Sequence, residues 1–316
     1  MFPEQYFRFC FAYGSGVFKQ FGVVTSKPML DMIFAVDDSV GFHGQNMHMN
    51  PHHYSGISRF GHRFVAAVQE KVPARIYFNT MIPIPQENIV LKYGVTTIAD
   101  LINDLLDWNY LYLAGRLHKP VETLVMPTGK PLLSALKSNL LSALHAAFLI
   151  LPEFFTERQL YVTIANLSYN GDFRMVFGED KNKVRNIVDA QVEAFRAMYA
   201  PYLLGFDNYI EIPSDGPVDQ TCMQDMSSST RLFHLFQNWF KVAGRREHDT
   251  EEIMKSVSHY PYIPELLTRS LRTIVFDSSV KQSLKGILTA GIVKSVRYSN
   301  EKITKMINAA RAENET

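Results

Sequence analysis

The sequence predicts an α+β protein in three regions, and three observations carry the prediction. Apolar β-like runs at Phe7–Tyr13, Met32–Val36 and Arg75–Pro83 share the first part of the chain with one helical stripe. Helical periodicity dominates from Gly129 to Leu204, broken at Gly171-Asp172 and Gly178. Beyond Pro201, the turn-rich IPSDGPVDQ at Ile212 introduces a last helical region. The regions are therefore placed at residues 1–128, 129–204 and 205–316.

Within the first region, Ile98, Leu101, Ile102, Leu105 and Leu106 fall on one helical face, so strands and helix mix. The second opens with Pro131 to Leu151, where proline suits the first helical turn. Lys137, Asn139 and His145 interrupt its apolar run, which reads as a core helix rather than a membrane span. SYNGDFRMVFGEDKNKV then holds a short apolar run between turn signals, read as a strand or hairpin. A single helix follows, with Val184, Ile187, Val188, Val192, Phe195 and Tyr199 on one stripe. A helix pair with a short strand suits a winged-helix-like unit.

Composition narrows the function. A hydrophobic share of 47% fits a packed globular chain. Thirty-two basic against thirty-one acidic residues leave a net charge of +1, which gives no field for nucleic acid. Cys10 and Cys222 lie too far apart in sequence for a zinc motif and read as small buried side chains. The opening MFPEQYFRFC has neither a secretory apolar core nor an Arg/Ser-rich transit pattern. Between Lys281 and Arg311, seven bases stand against one acid, Glu301, a local balance of +6. There Ile303, Met306, Ile307 and Ala310 share one helical face, a pattern suited to an anionic bilayer surface.

Chemistry points to the first strand. Gly14-Ser15-Gly16 follows the apolar run directly, and a Gly-Ser pair there lets backbone amides and a hydroxyl approach phosphate. Polymerase-β-type nucleotidyltransferases pair such a strand-end Gly-Ser with an acid opening the next strand, and Asp31 occupies that place here. The segments YGSGVFKQ, MLDMIFAVDD, YLAGRLHKPV, LSYNGDFRMVFGEDKNKVRNIV and LTAG closely resemble the mitochondrial phosphatidate cytidylyltransferase family, also called translocator assembly and maintenance proteins. The resemblance covers nearly the whole chain.

It implies a polymerase-β-type nucleotidyltransferase domain, a helical, winged-helix-like domain and a C-terminal helical region. It also implies that CTP and phosphatidic acid give CDP-diacylglycerol and pyrophosphate, with Mg²⁺, at the matrix side of the mitochondrial inner membrane, for cardiolipin synthesis. The basic tail would bind that anionic surface peripherally.

Matched positions are Tyr13, Gly14, Ser15, Gly16, Asp31, Asp37, Asp38, His43, Asn46, Asn50, His53 and Tyr54. The match continues at Gly115, Arg116, Lys119, Pro120, Gly171, Asp172, Lys183 and Asn186. Asp31 and Asp172 are the expected metal ligands, and Ser15 and Lys183 complete the expected catalytic set. Tyr13, Gly14, Ser15, Gly16, Lys119, Lys183 and Asn186 are expected at the nucleotide. Asp31-Met32-Ile33 departs from the superfamily's Asp-x-Asp, so the second ligand comes from elsewhere or the metal keeps more water. The histidine-rich stretch from His43 to His62 lacks zinc spacing and reads as a polar loop supporting the pocket through His43 and His53. Two other readings stay open: a nucleotidyltransferase with another acceptor, and a non-catalytic membrane-associated factor maintaining protein import.

Overall fold

The computed structural model describes residues 1–18, 29–177, 182–206, 210–211, 221–224 and 263–291. Five strands form the main sheet: β1 (Phe7–Tyr13), β2 (Met29–Val36), β3 (Tyr77–Ile84), β4 (Ile89–Thr97) and β5 (Glu122–Val125). Their order is β3-β4-β2-β1-β5. Only the β2–β4 pairing is parallel; the other three are antiparallel.

Period-two alternation gives this sheet two cores. Phe9, Phe11, Ile33 and Ala35 face one side and join Phe78, Leu101, Leu105 and Leu144. Cys10, Phe34, Val36, Leu91, Tyr93 and Val95 face the other, against Phe42. The first side is covered by α3 (Ile98–Asp107) and α4 (Lys130–Ile150), the second by α1 (Ser39–Met49). Thr97 caps α3 by accepting from the Asp100 amide at 3.0 Å. α4 begins with proline in its first turn, as its sequence predicts. Among the described residues it is the one helix long and apolar enough to cross a membrane, and 56% of its most apolar window is buried inside the protein. Its Asn139 is fully buried, accepting from Trp108 Nε1 at 2.9 Å and donating to Ala114 O at 3.1 Å.

Next come β6 (Phe154–Thr156), α5 (Glu157–Asn166), α6 (Arg174–Phe177), α7 (Lys183–Asp189) and α8 (Val192–Leu203). Ion pairs knit them: Arg196 to Glu157 at 2.7 Å and Arg158 Nε to Asp189 Oδ1 at 2.6 Å. β6 pairs with β8 (Thr221–Gln224), which pairs with β7 (Ile210–Glu211). The long helix α9 (Ile263–Ala290) packs Leu271 and Val275 into the same core that holds Phe9 of β1.

Several expectations are corrected. β2 starts at Met29, and the pattern reading identifies neither β4 nor β5. The apolar run after Asp172 is the short helix α6 instead of a strand, because Asp172 takes the Arg174 amide and starts a helical turn. The stripe from Val184 to Tyr199 belongs to two helices, α7 and α8, that meet around Ala190-Gln191. The third region contains the short strands β7 and β8 as well as helix. Most of the histidine-rich stretch is helix α1 and short turns, not a loop. His43 is fully buried there, its ring nitrogens 2.9 Å from Tyr54 Oη and from Gln69 Oε1. Burial pushes its pKa down to about 4. His53 Nδ1 lies 3.0 Å from Tyr93 Oη in the same buried network.

Lys285, counted among the tail's bases, is inside the fold at 2% exposure, donating to Pro73 O at 2.9 Å and Val72 O at 3.3 Å. Lys281 pairs with Asp277 at 2.7 Å. Lys294 and every later base of the tail, with Ile303, Met306, Ile307 and Ala310, lie outside the described residues. So does the Cys222 side chain, whereas Cys10 is a free, buried thiol whose pKa burial pushes up to about 12.

Candidate active site

Register brings the predicted pair together. Tyr13, the last residue of β1, stands opposite Asp31 of β2, and Asp31 stands opposite Lys92 of β4. Odd positions of β1 and β2 face the side covered by α3 and α4, so Tyr13 and Asp31 share that face. Lys92, between core residues Leu91 and Tyr93 that face away, shares it too. Its Nζ lies 3.1 Å from Asp31 Oδ1 and 4.9 Å from the centre of the Phe78 ring.

The turn after β1 needs its glycines. Gly14 has φ of +84°, and its carbonyl accepts from Val17 at 3.1 Å and Phe18 at 3.0 Å, so the chain bends as a helix start does. A Cβ on Gly16 would lie 2.1 Å from the Met29 carbonyl oxygen, so the turn sits flush against the start of β2. Ser15 between them is exposed. First-turn amides of such a bend have no partner within the turn and suit an anion.

A second wall is the segment from Trp108 to Lys119. Asp104, at 3% exposure on the inner face of α3, accepts four backbone amides. They are Tyr110 and Leu111 on Oδ1, both at 2.9 Å, and Leu113 and Ala114 on Oδ2, at 2.8 and 3.0 Å. One buried carboxylate thus shapes the segment that presents Tyr112, Arg116 and Lys119. The Arg116 guanidinium lies 4.6 Å from the ring centres of both Tyr13 and Tyr112. Lys119 Nζ donates to Ser168 Oγ at 2.9 Å and to Gly115 O.

The third wall comes from the α5–α7 region. Lys119 and Lys183 Nζ lie 5.1 and 5.4 Å from the Tyr169 ring centre. Lys183 opens α7, with Asn186 one turn on. Asp172 is 5% exposed and held by Arg174, whose Nε is 2.9 and 3.1 Å from its two oxygens.

Five cations, Lys92, Arg116, Lys119, Arg174 and Lys183, thus meet the carboxylates of Asp31 and Asp172, while Asp104 is taken up by backbone amides. Their mutual influence follows. Burial, then Arg116 and Lys183, pushes Lys119 down to about 7. For Tyr112, burial pushes upward, but Arg116, Arg174 and Lys92 outweigh it and lower the phenol. For Asp172, burial again pushes upward and Arg174 and Lys183 outweigh it, lowering the carboxyl. Two atoms in this cluster are buried without a hydrogen-bond partner, Tyr13 Oη and Arg116 Nε, and the buried Asp31 Oδ1 is held by the Lys92 ammonium at 3.1 Å. Buried polar atoms are normally satisfied, so two orphan donors beside concentrated positive charge fit a polyanionic ligand.

Among the described residues no group of three or more His, Cys, Asp or Glu is placed to hold a metal. Asp31 pairs with Lys92 through Oδ1, and its carboxylate chemistry suits a hard cation that takes its remaining ligands from water and phosphate, as Mg²⁺ does. Asp37 and Asp38 act elsewhere: Asp37 pairs with Arg8, and Asp38 caps α1 through the Gly41 amide at 2.9 Å.

Sequence reasoning missed Lys92, Tyr112, Tyr169 and Arg174. Lys92 carried one signal, a lone base inside the apolar run IVLKYGV. Tyr112 and Tyr169 carried none beyond lying in the segments that hold Arg116 and Asp172.

Comparison with known proteins places the chain. The family model described as phosphatidate cytidylyltransferase, mitochondrial, matches residues 1–305. The protein of that name from Drosophila melanogaster is 43% identical, covering 96% of this chain and 96% of its own length. The one from Danio rerio is also 43% identical, covering 96% and 92%. That from Homo sapiens is 39% identical over 92% of this chain and 65% of its own length. The orphaned strand-end site and this end-to-end likeness agree, and the chain belongs to the mitochondrial phosphatidate cytidylyltransferase family.

Proposed function

We propose that the protein transfers the cytidylyl group of CTP to phosphatidic acid, giving CDP-diacylglycerol and pyrophosphate. The observation that carries the reading is the pair of unsatisfied buried donors on Tyr13 and Arg116, with the Asp31 carboxylate, amid Lys92, Lys119, Lys183 and Arg174. The names of its relatives supply the two substrates. A phosphatidate oxygen bonds to the α-phosphorus of CTP while the bond to the β-phosphate bridge breaks, and pyrophosphate leaves with that electron pair. A phosphate monoester has a second pKa of about 6, so the acceptor is largely dianionic and needs no general base.

The turn at Gly14, Ser15 and Gly16 cradles the phosphate chain. Lys119 and Lys183 neutralise its β and γ groups, and Asn186 and Tyr13 border the nucleotide. Arg116, stacked between two rings, is placed to meet the second phosphate that the lipid brings. Bound Mg²⁺ would supply charge neutralisation of the departing pyrophosphate. Asp31 is its principal ligand in this reading. Asp172, the second sequence candidate, is committed to Arg174, and its recruitment requires that guanidinium to turn toward phosphate.

The β1–turn–β2 arrangement with Gly14-Ser15 and Asp31 supports a polymerase-β-type nucleotidyltransferase domain. The helices after Gly129 with the small β6-β8-β7 sheet support a winged-helix-like unit beside it. We place the protein peripherally on the matrix side of the mitochondrial inner membrane, held by the basic segment after Gly291 and feeding cardiolipin synthesis. Support for the compartment is the word mitochondrial in its relatives' names.

The test is transfer of base-labelled CTP into organic-extractable lipid. Label in lipid only when phosphatidic acid is present, competed by CTP and not by other nucleoside triphosphates, is expected. Label transferred to a water-soluble acceptor instead would overturn the lipid assignment.

A further inference from the structure

Away from the cation cluster, the stretch RFGHRF from Arg59 to Phe64 presents aromatic and basic side chains together to solvent. Phe60 is 73% exposed and Phe64 44%, with ring centres 5.2 Å apart. Leu284, Ile287 and Leu288 of α9 are exposed on one helical face. Ser55 Oγ donates to the Leu288 carbonyl at 3.2 Å, which ties the short turn leading to Phe60 to the end of this helix face. Arg59, His62 and Arg63 are exposed around them. No Asp or Glu occurs from Ser39 to Gln69, nor from Val280 to Gly291.

We propose that this face is a bilayer-docking surface, with Phe60 and Phe64 entering the headgroup boundary of an anionic membrane and Arg59 and Arg63 contacting lipid phosphates. Exposed aromatic residues flanked only by bases match an anionic interface in both hydrophobicity and charge. A second copy of the chain fits poorly, because a two-fold contact would bring together two patches that each carry Arg59 and Arg63, with no Asp or Glu in these stretches to pair them. Gly291, the last described residue before the basic segment, lies beside Ser55.

The full chain is sedimented with phosphatidylcholine vesicles, alone or mixed with an anionic phospholipid, in the absence of CTP. Phe60→Ser with Phe64→Ser should weaken binding to anionic vesicles about tenfold or more. Arg59→Gln and Arg63→Gln should each cost about fivefold, an effect that shrinks as salt rises. Fluorescence of a Phe60→Trp chain should be quenched by bromine-labelled lipid beyond any quenching of the parent. Both variant pairs should transfer cytidylyl to dispersed short-chain phosphatidate at the parent rate, which separates this face from the reaction chemistry. Parent-level vesicle binding by the Phe pair, no added quenching in the Phe60→Trp chain, or a dimer of the parent that the Phe pair dissociates would overturn the proposal.

Discussion

Replacing Asp104 with asparagine changes one buried oxygen for an amide and leaves the shape of the side chain nearly intact. In the native protein each carboxylate oxygen accepts two backbone amides, Tyr110 and Leu111 on one, Leu113 and Ala114 on the other. Asparagine keeps one pair and turns a donor toward the other, so two charge-assisted hydrogen bonds are lost. At about 1.5–3 kcal/mol for each such bond, the loss is about 3–6 kcal/mol. That is a large share of the roughly 5–15 kcal/mol that holds a typical domain folded. Urea denaturation followed by circular dichroism measures it. Because the same segment presents Arg116 and Lys119, the KM for CTP should rise in the folded variant as well. A stability loss under about 1 kcal/mol with an unchanged KM would refute the claim that Asp104 shapes this wall.

Gly16→Ala puts a Cβ 2.1 Å from the Met29 carbonyl, so the turn must move by about an ångström, and kcat/KM should fall about a hundredfold; near-native activity would mean that the turn does not position phosphate. Lys92→Ala leaves Asp31 unpaired in a partly buried place and removes a cation from the site, so turnover should fall at least about tenfold, read at saturating CTP and Mg²⁺. Lys119 titrates at about 7 in the free protein, so at pH 8 it is mostly neutral, and a bound triphosphate should draw a proton onto it. Calorimetry in buffers of different ionisation enthalpy should show uptake of about one proton on CTP binding at pH 8, abolished in Lys119→Arg. The same depressed pKa means that the unfolded chain binds more protons from about pH 7 up to the ordinary lysine range, so this residue's contribution to stability rises with pH there.

The sequence was most legible where one local rule decides the structure. β1 matches its apolar run residue for residue, and α4 carries its proline in the first turn. Gly14-Ser15 and Asp31 were singled out together because strand-end glycines and a strand-opening acid are local signals, and register sets Tyr13, the residue before Gly14, opposite Asp31. β4 was hidden because Lys92 and Gly94 interrupt its apolar run, and both interruptions are tertiary in origin. Lys92 faces Asp31, while Gly94 lies so close to Ile76 that a Cβ there would be 2.4 Å from its Cδ1. Asp104 reads as a misplaced acid on an apolar helix face until its partners, six to ten residues later, are in place. Lys285 was counted with surface bases because burial against the Val72 and Pro73 carbonyls depends on residues more than two hundred positions away.

Pyrophosphate release from CTP and Mg²⁺, with and without phosphatidic acid in detergent micelles, tests the central claim most directly when the parent is compared with Asp31→Ala. Release that requires phosphatidic acid and disappears in Asp31→Ala is the expected result. Lipid-dependent release that survives in Asp31→Ala would contradict the assignment of the site, and no release by the parent would contradict the reaction itself.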